Sequence, residues 1–131
     1  MDEKHILALR DLVQHSEVRS ASAEGGYLQI EFDTCHLAVG SAWRLKCSNS
    51  IVGNESAADL TQSKLELLLG KRVTDVDVTG DLNDLRVGFA GGLELETFAD
   101  SSEYENWTLS GGADNTFVSG PGRLWSAFVD F

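Results

Sequence analysis

Five acidic residues, Glu94, Glu96, Asp100, Glu103 and Glu105, fall within twelve positions that hold no Lys or Arg. Asp75, Asp77, Asp81 and Asp84 precede them, relieved only by Arg86. Glu94 and Glu96 alternate with Leu93 and Leu95, so a strand would project both carboxylates from one face, about 7 Å apart. Carboxylate pairs in glycosidases use such a separation, yet the same alternation describes the wet positions of any half-buried strand. The chemistry that suits five carboxylates on one curved sheet is electrostatic: fast, salt-dependent docking of a basic protein. These five are the candidate partner-binding residues.

Other reactive residue types are poorly placed. His5 and His15 lie ten residues apart on a predicted helix and do not share a face. Cys35 and His36 are adjacent near a strand end and point opposite ways. Cys35 and Cys47 lack the paired spacing of a zinc or redox site and read as free thiols. "VSGPG" lacks the strand–elbow–helix setting that activates a serine. "AGGLE" and "LSGGAD" open no helix and precede no lysine, so they read as hairpin turns rather than phosphate loops. No catalytic residue, metal ligand or cofactor is assigned, and the chain is expected not to be an enzyme.

The formal net charge of −11 over 131 residues argues against nucleic acid, which needs clustered Lys and Arg, and against an anionic membrane surface. "MDEKHILALRDLVQHSEV" has neither the basic start nor the long apolar run of a signal peptide. No stretch approaches the roughly 18 apolar residues of a membrane span. A cytoplasmic chain forming a single domain over 1–131 is expected.

The elements that would position the carboxylates follow from periodicity. Ile6, Leu9, Leu12 and Val13 form an apolar stripe, predicting a helix over 3–15 that Asp2 can cap. Ser56–Asp59 has capping-box form, Leu60, Leu65, Leu67, Leu68 and Leu69 supply an apolar face, and Gly70 can end the turn, predicting a second helix over 57–69. Elsewhere short strands alternate at period two, as in Leu28, Ile30 and Phe32 or Leu85, Val87 and Phe89, mostly joined by tight turns. Tight turns join only antiparallel neighbours. The fold class is therefore α+β, mostly antiparallel curved sheets of short strands with two helices.

An approximate repeat organises the chain. "YLQIEFDTCHLAVGSAWRL" resembles "DLRVGFAGGLELETFADSSEYENWTL": residues 27–45 and 84–109 each read as a three-stranded meander. Leu28, Ile30 and Phe32 correspond to Leu85, Val87 and Phe89, and Trp43 and Leu45 to Trp107 and Leu109. Both tryptophans are expected to face the core.

The early tryptophan strand, the "LLGK-V" step at 68–73, the "F-x-x-G-x-x-L" hairpin at 89–95 and the "Y-E-x-W" strand at 104–107 together resemble a family of small bacterial proteins of unknown function. The resemblance spans residues 27–125. It implies structural motifs with no catalytic signature, and an immunity-type role in toxin systems. The expectation is a non-enzymatic protein-binding module, immunity-like, that inhibits a basic, toxin-like partner. The alternatives are a structural homo-oligomeric subunit, such as a homodimer, or a small-ligand-binding protein.

Overall fold

A computed structural model describes residues 1–48, 50–54, 63–79, 83–101, 103, 105–111 and 115–129. Helix α1 spans Glu3–Val13. The strands are β1 Val18–Glu24, β2 Tyr27–Phe32, β3 His36–Val39, β4 Ala42–Cys47, β5 Ser50–Asn54, β6 Val73–Val78, β7 Leu85–Phe89, β8 Leu93–Phe98, β9 Trp107–Gly111, β10 Asn115–Ser119 and β11 Trp125–Val129. They form two open antiparallel sheets, one ordered β1-β2-β3-β9-β10-β11 and the other β5-β4-β8-β7-β6. The expected antiparallel α+β class is what the chain adopts.

Alternation sets which side chains go inside. Leu28, Ile30, Phe32, Leu37, Val39, Trp107, Leu109 and Phe117 point in from the six-stranded sheet. Trp43, Leu45, Leu85, Val87, Phe89, Leu93 and Leu95 come from the other, and all join one apolar core. Helix α1 starts where expected, with the Asp2 carboxylate accepting the His5 amide at 2.9 Å. It packs against β6 and β11, and Leu12 rests where a side chain on Gly111 would collide with it.

The second helix is seen only at its end, because the capping box at Ser56–Asp59 and Leu60 lie outside the described residues. From Ser63 the chain is helical and tightens to a 3-10 turn over Glu66–Leu68. Three residues per turn align positions three apart, so Leu65 and Leu68 are buried while Leu67 and Leu69 are left exposed. Gly70 ends the turn at φ +76, the left-handed cap expected there.

The repeat is present, and it reaches further than the sequence suggested. Each sheet holds the expected three-stranded arrangement, but the third strand comes from the other unit. The β2–β3 hairpin continues into β9, with Leu37 opposite Leu109, and the β7–β8 hairpin continues into β4, with Leu95 opposite Leu45. The strand before each hairpin also matches. Both β1 and β6 carry a bulge just after the first residue, between Val18 and Ser20 and between Val73 and Asp75. The second bulge explains why Val73, Val76 and Val78 alternate imperfectly.

Equivalent residues meet across the middle of the molecule. Glu17 pairs with its counterpart Arg72 in an antiparallel bridge. The rings of Phe32 and Phe89 stack at 6.5 Å between centroids and 5° between planes. A residue touching its own repeat equivalent marks a pseudo-two-fold axis. The indole N–H of Trp43 donates to the Gly26 carbonyl at 3.0 Å, and that of Trp107 to the Asn83 carbonyl at 2.8 Å. Gly26 and Asn83 both take positive φ just before a hairpin strand, so the tryptophan anchor is repeated down to its acceptor.

Candidate functional site

The structure separates the five candidate acids into two groups. Glu94 and Glu96 lie on the outer face of the five-stranded sheet, where opposite charges face them. Across the strands runs a rung of Arg44, Glu96, Arg86 and Asp77, in that register order. Glu96 accepts from Arg44 Nη2 at 2.6 Å and Nε at 3.0 Å, and from Lys46 Nζ at 3.0 Å. Arg86 reaches Asp75 at 2.9 Å and Glu94 at 3.8 Å, and Arg10 of α1 reaches Asp77 at 3.1 Å. Partial burial opposes ionisation of Glu96, but hydrogen bonds and charge from Lys46 and Arg44 outweigh it and hold the carboxyl below its ordinary value. This face is a lattice of ion pairs.

Asp100, Glu103 and Glu105 are placed differently. They sit in the connection between β8 and β9, all exposed. Among the described residues no ion pair involves them. Asp100 accepts the Ala42 amide at 3.3 Å, and Glu105 accepts the Thr108 hydroxyl at 3.2 Å. Asn106, buried next to them, holds the connection in shape: its side chain takes the Ser101 amide at 2.8 Å and donates to the Gly120 carbonyl at 2.8 Å. Its carbonyl accepts both the Gly40 and Ser41 amides. The exposed carboxylates are therefore carried on a connection that is tied at Asp100, Ser101 and Asn106, beside the β3–β4 corner.

At that corner lies a cleft of about 340 Å³, lined by Gly25, Gly26, Tyr27, Gly40, Ser41, Ala42 and Asp100. Gly25 and Gly26 take φ +58 and +84, the pair of left-handed residues a tight hairpin requires. Gly40 is closely packed. A Cβ there would stand 3.3 Å from the Glu105 carbonyl oxygen and 3.4 Å from the Tyr27 ring. Tyr27 is half exposed, and Ser41 is 4% exposed with a hydroxyl that has no hydrogen-bond partner among the described residues. Sequence reasoning assigned no role to Tyr27, Gly40 or Ser41. The signal that was present is Tyr27 itself, a large aromatic at an outward position of the Leu28–Ile30–Phe32 alternation.

The other candidates stay apart. His5 and His36 each pair with a nearby carboxylate, Asp2 at 2.6 Å and Glu31 at 2.9 Å. Burial pushes the Cys35 thiol up to about 11, so it packs as a small apolar group. Both cysteines are free. Among the described residues no three His, Cys, Asp or Glu side chains gather as metal ligands, and no helix is long and apolar enough to cross a membrane.

Compared with protein-family models, curated proteins and solved structures, the chain matches none.

Proposed function

We propose that this chain is a non-enzymatic cytoplasmic protein-binding module that receives a basic partner, in the manner of an immunity-type inhibitor. One observation carries the reading. Of the five acids, Asp100, Glu103 and Glu105 remain without a cation among the described residues, all in the β8–β9 connection, whereas Glu94 and Glu96 are matched internally. Unmatched carboxylates attract a cationic surface at long range and speed its association. The resemblance to the small bacterial family supports the immunity-type role, and the acidic balance of the chain supports a basic partner.

The test uses the product of the neighbouring gene as binding partner, measured by titration calorimetry at two salt concentrations. Reversal of Glu103 and Glu105 to Lys is expected to weaken binding at least tenfold at low salt, about 1.4 kcal/mol or more, and to flatten its salt dependence. Reversal of Glu94 alone is expected to change affinity little. Equal binding by the Glu103/Glu105 reversal and the native chain would overturn the reading.

A second reading rests on a different place. β11 is an edge strand, and Leu124 and Phe128 on and beside it are among the most exposed apolar side chains described. An edge of this kind is suited to pairing with a symmetry mate. Light scattering on the purified protein decides: a dimer that Phe128→Lys dissolves favours the homo-oligomer, and a monomer removes it.

A further inference from the structure

The pseudo-two-fold axis lets one corner of the molecule be compared with its twin. In the second unit, Phe98 closes the outer face at the end of β8. The Arg44 guanidinium lies 5.1 Å above its ring, and the same guanidinium pairs with Glu96. The molecule thus contains one arginine stacked on an aromatic ring and held by a carboxylate. Repeat register assigns the counterparts: Gly40 for Phe98, Ala38 for Glu96 and Thr108 for Arg44.

The twin corner, on the six-stranded sheet, has a ring and a carboxylate but not the cation. Its aromatic is Tyr27, whose ring edge stands 3.4 Å from the Cβ position of Gly40, the point from which Phe98 projects in the other half. Its carboxylate is Asp100, on the cleft wall; the Glu105 carboxylate is turned to Thr108 instead. Thr108 is too short to supply a guanidinium. No described side chain of Lys or Arg lines the cleft. Ser41, almost wholly buried, adds a hydroxyl with no partner among the described residues, a costly arrangement unless another group completes it.

We propose that the Tyr27 cleft is a recognition pocket for one arginine side chain of the partner protein. The guanidinium stacks on the Tyr27 ring, as Arg44 does on Phe98, and pairs with Asp100 on the cleft wall. A rotamer change at Ser41 turns its hydroxyl into the cleft as acceptor for a third N–H. Arginine suits the pocket better than lysine because a planar, weakly hydrated group can stack and bond in its plane at once. The proposal rests on the protein-binding reading and names the residue type that reading lacks.

The probe is N-acetyl-arginine amide, titrated at constant ionic strength into the full chain and followed by amide resonances. Saturable shifts are expected at Gly25, Gly26, Gly40 and Ser41. N-acetyl-citrulline amide, nearly the same shape without charge, is expected to give none. Tyr27→Leu and Asp100→Asn should each weaken the arginine probe roughly three- to tenfold, whereas Tyr27→Phe should retain it. Equal shifts from citrulline, equal binding of N-acetyl-lysine amide, or no shifts at the cleft would each overturn the proposal. If the cleft is silent while reversal of Glu103 and Glu105 still abolishes partner binding, the arginine pocket falls and the protein-binding reading stands. If that reversal also leaves partner binding unchanged, both fall.

Discussion

The inner faces of the two sheets are near copies, and their outer faces are not. Inside, Leu37 opposite Leu109 repeats Leu95 opposite Leu45, and each tryptophan reaches an equivalent carbonyl. Outside, the charged rung of Arg44, Glu96, Arg86 and Asp77 has as its counterpart Thr108, Ala38, Gln29 and Ser22. The neighbouring rung of Lys46, Glu94, Gly88 and Asp75 corresponds to Ser110, His36, Glu31 and Ser20. Packing at interior density tolerates few changes of volume, so the shared core constrains both units alike. A solvated face obeys no such limit, and one sheet has become a lattice of ion pairs while the other is nearly neutral.

The largest test of that comparison is at the tryptophans. Trp43→Ala and Trp107→Ala are each expected to cost about 3–5 kcal/mol, and the two losses should agree to within about 1 kcal/mol if their settings are truly equivalent. Urea unfolding of both variants measures this. A near-zero loss at either one would refute its place in the core.

A smaller effect is expected on the charged face. Glu96→Gln removes the acceptor of both Arg44 and Lys46 and should cost about 1–2 kcal/mol near neutrality, since the pair is partly shielded and its bonds are charge-assisted. The pH dependence has a definite sign. The folded carboxyl titrates below its unfolded value, so its stabilisation is complete above about pH 4.3 and fades as pH falls through the folded value. The gap between native and Glu96→Gln stabilities should therefore close in acid. A gap that persists unchanged at low pH would show that the loss comes from packing instead.

The smallest effect comes from transplanting the charge. Ala38→Glu with Thr108→Arg rebuilds the Arg44–Glu96 pair on the neutral face, and a double-mutant cycle should return a coupling of about 0.2–1 kcal/mol. Zero coupling would mean that the charged face depends on its whole network rather than on cross-strand pairs.

Much of this architecture was legible in the residues. Period-two runs such as Leu28–Ile30–Phe32 marked strands because one face is buried, and Trp-x-Leu at 43–45 and 107–109 marked the repeat because the core repeats. The exchange of third strands was not legible. Both hairpins offer the same apolar edge, so alternation alone does not say which hairpin takes which tryptophan strand. For the same reason Glu96 and Glu103 look alike in sequence. What separates them is Arg44 and Lys46, brought alongside Glu96 from some fifty residues away by β4 crossing to β8. The cleft was hidden more deeply, since it is assembled from the β1–β2 turn, the β3–β4 corner and the β8–β9 loop, and an unpartnered serine leaves no trace in a pattern of polar and apolar letters.

The exchanged strands also bear on how the chain must be made. When residues up to β5 have left the ribosome, β3 still lacks β9 and β4 still lacks β8, so neither sheet has its middle. The β4–β8 ladder can form once Leu93–Phe98 has emerged, and the β3–β9 ladder only after Trp107–Gly111. Long-range pairing of this kind slows folding and keeps strand edges open for longer. The nascent first half must therefore wait, with apolar edges uncovered, for the second half to be translated and to complete first the five-stranded and then the six-stranded sheet.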